Sequence, residues 1–378
     1  MKLTDICEFH GGSQPPKSEW SSEYKDGYIR MLQIRDFTQE GRVTPEYVKI
    51  SNRLRLCTED DILIGRYGAS VGKILSGKSG AYNVAIMKAV PDTSVVRKQY
   101  LRYYFLSPNF QNYILNLGGR AAQAGFSKDD LARLEITVVS LEEQDKIVNE
   151  LSTLEKTIST KQKQLKEFDD LVKSRFIEMF GDIRISSIFP NIALENFAQI
   201  GSSKRVHAAD YVESGVPFYR SKEIIELGNG QEPSVELFIS KKQYESIKKT
   251  NGVPCKGDIL MSAVGTIGKM WIVDGRKDFY YKDGNIISIH SDETNPIYLK
   301  EALANLIDDF KSANVAGSAY SALTIVKLKK MTVPMPPMSI QNEFADFVKL
   351  IDKSKFIVQK QIDDLQELLD SKMDEYFG

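Results

Sequence analysis

Cysteine is scarce in this chain of 378 residues: Cys7, Cys57 and Cys255 stand far apart and form no CxxC pair. That argues against a disulfide framework and a cysteine zinc site, and fits a reducing compartment. Histidine is equally scarce, and His10, His207 and His290 are too dispersed to suggest an imidazole metal site. No apolar run approaches the ~20 residues of a membrane-spanning helix. The opening segment, Met1 to Gly12, lacks the apolar core of a secretory signal, so the expectation is a cytoplasmic protein. An excess of one charge is missing too, since 50 basic residues against 51 acidic ones leave a net charge of −1. Such a chain does not bind nucleic acid by bulk positive charge, although local basic surfaces remain open to it. The remainder, 42% hydrophobic and 27% charged, is the balance of a globular protein, and the length predicts two or more domains.

What the chain does have is a repeat of about half its length. Asp61-Ile-Leu-Ile-Gly-Arg-Tyr-Gly68 recurs as Asp258-Ile-Leu-Met-Ser-Ala-Val-Gly265, an offset of 197. At that offset Ser127, Leu131, Leu134, Ile136 and Gln144 meet Thr324, Leu328, Met331, Val333 and Gln341. Leu171, Ser174, Glu178, Phe180 and Gly181 meet Leu368, Ser371, Glu375, Phe377 and Gly378. Nearer the start the offset falls to about 191, as Lys2-Leu3 meets Ala193-Leu194, so the second copy carries a few extra residues early on. A register held over so long a stretch marks a duplication.

Each copy has two parts. Segments 1–141 and 185–338 read as short β-branched and aromatic runs between Gly, Pro, Asn and Asp. Strands are predicted over 28–34, 61–64, 84–90, 259–262, 269–273 and 286–290, and helices over 99–106, 110–117 and 296–310. The fold class is therefore α+β, with mostly antiparallel sheet and some helix in two similar domains. Segments 142–184 and 339–378 carry long uninterrupted helices over about 142–180 and 339–377. Positions 147, 151, 154, 158, 161, 165, 168, 172, 175 and 179 alternate in steps of 4 and 3; eight are apolar, Lys161 and Arg175 excepted. The same positions shifted by 197 are again apolar except Lys355 and Lys372. That is a coiled-coil seam. A helix of ~36 residues is ~54 Å long and cannot bury such a stripe alone. Its natural partner is its own repeat. An antiparallel coiled coil is expected, because duplicated halves copy a twofold dimer; a parallel pair and packing on the adjacent domain are the alternatives.

Charge follows these parts. Residues 1–141 hold 19 basic and 15 acidic residues, and 185–338 hold 18 and 17. The helical segments hold 7 against 10 (142–182) and 5 against 9 (339–378). Mildly basic globular domains thus accompany acidic helices, whose charge is either simply solvated or turned toward a partner.

Several motifs suggest catalysis and fail. Gly68-Ala-Ser-Val-Gly72-Lys73 lacks the spacing of a phosphate-binding loop and is followed by Ile74; Gly265-Thr-Ile-Gly268-Lys269 departs further. Asn295-Pro-Ile-Tyr298 has the wrong third residue for an amino-methyltransferase motif, and Asn295-Pro296 reads as a helix start. No Ser-His-Asp or Cys-His arrangement recurs in both copies. Loops bearing basic, amide, hydroxyl and aromatic groups remain. In the first domain they carry Gln33 and Arg35; Arg66, Tyr67, Ser70 and Lys73; and Arg120 and Gln123. In the second they carry Arg220 and Lys222; Ser262, Thr266 and Lys269; and Ser318 and Tyr320. Arginine and lysine pair with guanine or phosphate, glutamine with adenine, and hydroxyls with either, so these are candidate DNA contacts. An ordinary surface turn is the competing reading for each.

At this point the residues resemble the specificity subunit of type I restriction-modification enzymes, over essentially the whole chain. The resemblance rests on the two Asp-Ile-Leu…Gly…Gly-Lys strings, on Met331-Thr-Val-Pro-Met-Pro-Pro-Met-Ser-Ile-Gln341, and on Phe180-Gly181-Asp182 with Phe377-Gly378. Leu134 to Gln144 matches the pre-helix motif more loosely, with Val138-Val139-Ser140 where the family has prolines. It implies a non-catalytic subunit of a multisubunit methyltransferase/endonuclease. Each target-recognition domain would read one half of a split double-stranded DNA site, and the helices would set the gap. Two modification (methyltransferase) subunits carrying S-adenosylmethionine would bind it, and restriction subunits using ATP and magnesium would complete the enzyme. No cofactor on this chain, no metal and no membrane partner are implied. The alternative is a self-contained DNA methyltransferase or nuclease with duplicated recognition domains.

Overall fold

A computed structural model describes residues 1–39, 41–118, 125–183, 186–314 and 323–378. They form two compact units, residues 1–162 with 360–378, and residues 163–359.

In the first unit, strands β1 (Cys7–Gly11), β2 (Trp20–Ser21), β3 (Tyr28–Leu32), β4 (Tyr47–Lys49), β5 (Leu56–Cys57), β6 (Ile62–Gly65), β7 (Ile74–Leu75), β8 (Gly80–Tyr82) and β9 (Ile86–Pro91) make two sheets. One is four-stranded and antiparallel, in the order β1-β9-β6-β7. The other runs β2-β4-β3-β8-β5 and contains one parallel pair, β3 with β8. Helices Lys98–Leu106 and Pro108–Gly118 bury Tyr100, Leu101, Tyr104, Phe105, Phe110 and Ile114 in the same core as Phe9, Ile64 and Met87.

The second unit repeats this plan. Strands Gln199–Gly201, Ile286–His290, Ile259–Ser262 and Met270–Ile272 form the antiparallel sheet in that order. Tyr211–Val212, Phe238–Ile239, Val216–Tyr219 and Tyr280–Tyr281 form the mixed one, again with one parallel pair. Helix Pro296–Asn314 begins at Asn295, whose Oδ1 accepts the N–H of Ile297 at 2.9 Å, as a helix start requires. The domains are α+β and mostly antiparallel, as the strand runs predict.

Three local expectations need correction. The strand predicted over 28–34 ends at Leu32, because the N–H of Gln33 is capped by the Asp36 carboxylate at 2.8 Å and helix Ile34–Thr38 starts. Gln33–Arg35 is therefore a helix N-terminus rather than a loop. So is Arg220–Lys222, at the head of helix Ser221–Gly228, where Glu223 caps the Arg220 N–H at 2.8 Å. The extra length of the second copy lies early in it, as the change of offset predicts, and includes helix Lys241–Thr250, between Phe238–Ile239 and Ile259–Ser262. The corresponding stretch between β4 and β6 holds no helix. Its sequence, KKQYESIKKT, offers only Tyr244 and Ile247 for burial, which is too sparse for periodicity to reveal.

The long helices span Leu141–Phe180 and Met338–Phe377. Within the first unit, Glu150 faces Lys372 at 3.5 Å and Tyr376 at 2.6 Å, while Lys161 donates to Gln361 at 2.7 Å. One helix ascends as the other descends, so they pair antiparallel. Within the second unit the sense is the same, with Asp169 accepting from Lys355 at 2.5 Å and Glu343 from Arg175 at 3.2 Å. Each of the four basic interruptions of the seam thus reaches a polar acceptor on the facing helix. Lysine and arginine suit these places because an aliphatic stem covers the seam while the charge reaches its edge.

Candidate nucleic-acid interface

The buried acids organise the site first. Asp36 and Glu223 sit three residues into their helices, cap the N-terminal backbone and accept an arginine each. Asp36 pairs with Arg30 of β3, and Glu223 with Arg220 at 2.7 Å. Hydrogen bonding to Glu223 holds the Arg220 guanidinium well above its ordinary pKa, so the group is a permanent cation. The helix heads therefore project Gln33 with Arg35, and Arg220 with Lys222.

A second carboxylate meets each head. Glu46, just before β4, accepts from Gln33 Nε2 at 2.5 Å and pairs with the Arg35 guanidinium. Glu236, just before Phe238–Ile239, takes Arg220 at 3.0 Å and Lys222 at 3.1 Å. These partners hold the Glu236 carboxyl below the usual carboxylate range. The acids at 36 and 223 could have been read from the capping spacing that puts an acid three residues after an N-cap. Glu46 and Glu236 carried no such signal, lying at unequal distances along the chain from the groups they hold.

The Gly-Lys strings form tight turns between antiparallel strands. Gly72 donates to Gly65 O at 2.9 Å and Gly268 to Ser262 O at 2.8 Å. Both glycines lie at positive φ, 78° and 80°. A Cβ on Gly72 would meet Gln111 Oε1 at 2.9 Å, and one on Gly268 would meet Ile307 at 2.4 Å. These turns seat against helices and present a lysine. Lys73 and Lys269 are exposed and have no hydrogen-bond or ion-pair partner for their side chains among the described residues. Ser70 is half-buried beside Lys73 and Thr266 is exposed beside Lys269. Ser262 differs: it is fully buried, and its hydroxyl donates to Thr266 O at 2.5 Å and accepts from Lys269 N–H at 3.0 Å. It holds the turn together and offers no free surface. Arg66 stacks 4.9 Å from the centre of the exposed Tyr67 ring, and both close on Gly125.

One connection joins turn and helix head in each domain. Asn83 N–H donates to Leu32 O at 3.1 Å and Arg66 N–H to Ala85 O at 2.8 Å. In the second domain Lys282 N–H donates to Tyr219 O and Ala263 N–H to Asn285 O, at 2.9 and 2.8 Å. The segment leaving the parallel strand thus lies between the two groups, so Gln33 and Arg35 share a sheet end with Arg66–Lys73, and Arg220 and Lys222 with Ser262–Lys269. Arg120, Gln123, Ser318 and Tyr320 lie outside the described residues. No group of three or more metal-ligating side chains exists among the described residues, nor is any helix there long and apolar enough to cross a membrane.

The family model for the type I restriction modification DNA specificity domain matches residues 1–168 and again 189–367. A Haemophilus influenzae protein provisionally named as a type I restriction enzyme specificity subunit is 27% identical over 68% of this chain and 64% of its own length. The specificity subunit of type I restriction enzyme MjaVIII, from Methanocaldococcus jannaschii, is 22% identical over 97% of this chain and 89% of its own. In fold, the chain is similar to the crystal structure of a type I restriction-modification S subunit from M. genitalium (TM-score 0.54, 17% identity, 100% of this chain and 95% of that one). It is also similar to a chain from a study of assembly and conformational transition in the type I R-M system (TM-score 0.59, 15% identity, 100% and 96%).

Proposed function

The chain belongs to the type I restriction-modification DNA specificity family, and from that premise we propose that its two globular domains each read one half of a bipartite DNA site. It is a recognition subunit without chemistry of its own. Two methyltransferase subunits carrying S-adenosylmethionine bind it, and restriction subunits using ATP and magnesium complete the assembly. The observation that carries this reading is the paired layout: each domain sets a polar helix head beside a lysine-bearing turn at one sheet end. Within it Lys73 and Lys269 suit phosphate, while Gln33, Arg35, Arg220 and Lys222 have the polar groups for base edges. Arg66, Tyr67, Ser70 and Thr266 line the same turns, and Arg120, Gln123, Ser318 and Tyr320 are assigned to the surface from sequence alone.

Selection of bound DNA from a random pool by the full chain with its methyltransferase subunits tests the reading. The expected product is a motif of two short specific halves separated by an unread gap. Methyl transfer from S-adenosylmethionine by this chain alone, or a single uninterrupted motif, would overturn it.

A further inference from the structure

We propose that Glu46 and Glu236 are positioning residues for recognition: each aims the side chains of its helix head and holds down binding to non-target DNA. This rests on the assignment of those heads to base reading.

The two glutamates are not repeats by sequence, yet they occupy the same place. Each lies within two residues of the start of the strand that pairs antiparallel with the strand feeding the helix head, β4 with β3 and Phe238–Ile239 with Val216–Tyr219. Each accepts from two donors of that head, although the donors are Gln and Arg in one domain and Arg and Lys in the other. The fold has reached one arrangement with different residues, so the arrangement is what the two domains share.

Stability does not require it. Asp36 and Glu223, both buried, already cap the helices and pair an arginine. The outer pairs reach solvent on at least one side: Lys222 and Glu236 are 52% and 57% exposed and Arg35 46%, with Glu46 and Arg220 half-buried, and partly solvated ion pairs of this kind add little to folding. Their effect falls on orientation. With its Nε2 turned to Glu46, Gln33 presents its carbonyl as an acceptor. Arg35, Arg220 and Lys222 lose rotamer freedom before DNA arrives, which is preorganisation. A carboxylate at this surface also repels every phosphate, whatever the sequence, and competes for the cations that non-specific binding uses. Only bases that satisfy the aimed donors and acceptors offset that repulsion, so discrimination rises as bulk affinity falls.

Glu46→Gln and Glu236→Gln keep shape and remove charge. Each should tighten binding to non-target DNA and lower the ratio of target to non-target affinity by about tenfold, the worth of one good base contact. Each should relax one half of the selected motif, a different half for each variant, with the melting temperature unchanged. A motif and ratio equal to wild type in both variants would overturn the proposal, as would a fall in melting temperature with the motif intact. Arg35→Ala and Arg220→Ala run alongside. If neither changes the motif, the assignment of the heads to base reading itself fails; if they change it and the glutamine variants do not, only the positioning role fails.

Discussion

Among the described residues Lys73 and Lys269 have no side-chain partner, and each stands on a hydrogen-bonded turn, a combination that suits a phosphate contact. Lysine is a compact, strongly hydrated charge on a flexible stem, so it neutralises a phosphate without reading a base. Lys73→Ala and Lys269→Ala should each weaken binding to all DNA sequences about equally and lower the salt slope of log K by ~1, measured by titration at several salt concentrations. A changed motif would move either lysine to the base-reading group. The Asp-Ile-Leu residues preceding these turns are of another kind. Asp61 and Asp258 accept the N–H of Thr58 and Cys255, both at 2.8 Å, and meet Lys88 at 2.6 Å and His290 at 2.7 Å on the next strand. The most visible repeated string is therefore a scaffold device, and the residues suited to recognition sit in its less similar surroundings.

Among the elements, each long helix is tied to the adjoining domain by a buried amide. Gln144 accepts the N–H of Arg97 at 2.7 Å and donates to Val95 O and Val139 O at 3.0 and 2.8 Å. Gln341 accepts the N–H of Asn295 at 2.8 Å and donates to Pro336 O at 2.9 Å. Both are essentially inaccessible, so replacement by Leu leaves backbone groups dry and unpaired. Gln144→Leu and Gln341→Leu should each destabilise the chain by ~2–3 kcal/mol or more, measured by denaturant unfolding. A loss below ~1 kcal/mol would show that water or a shifted backbone takes over. The helices, their seam and this glutamine pair were legible in the sequence because long periodicity and register survive duplication. The ends of the seam were less so. Phe180 packs on Tyr298 at 4.8 Å in the second unit and Phe377 on Tyr100 at 5.0 Å in the first, where the buried stripe widens to Phe176 and Met373. The missing prolines at 138–140 change little, since Leu3 N–H meets Leu134 O as Leu194 N–H meets Met331 O, both at 2.9 Å. The helix heads were misread as loops because their caps depend on one acid each, and Glu46 and Glu236 act across the sheet, where sequence spacing is silent.

For the molecule as a whole, duplication predicts that its two recognition surfaces act independently. No described strand of the first domain shares a sheet with a strand of the second. The polar groups at Gln33, Arg35 and Glu46 are built on strands of one domain, and those at Arg220, Lys222 and Glu236 on strands of the other. Replacing residues 185–338 with the equivalent domain of a relative should therefore change one half of the recognised sequence and leave the other intact. The junctions set a condition on the donor. It must supply an aromatic ring to meet Phe176 and Phe180, as Tyr298 does, and a helix N-terminus whose N–H reaches Gln341. A donor lacking these would fail to fold, which calorimetry detects separately from specificity. With folding confirmed, motif selection decides. A new second half beside an unchanged first half fits two separate readers; a simultaneous change in both halves means that the bases are read by one surface that the chain divides only in sequence.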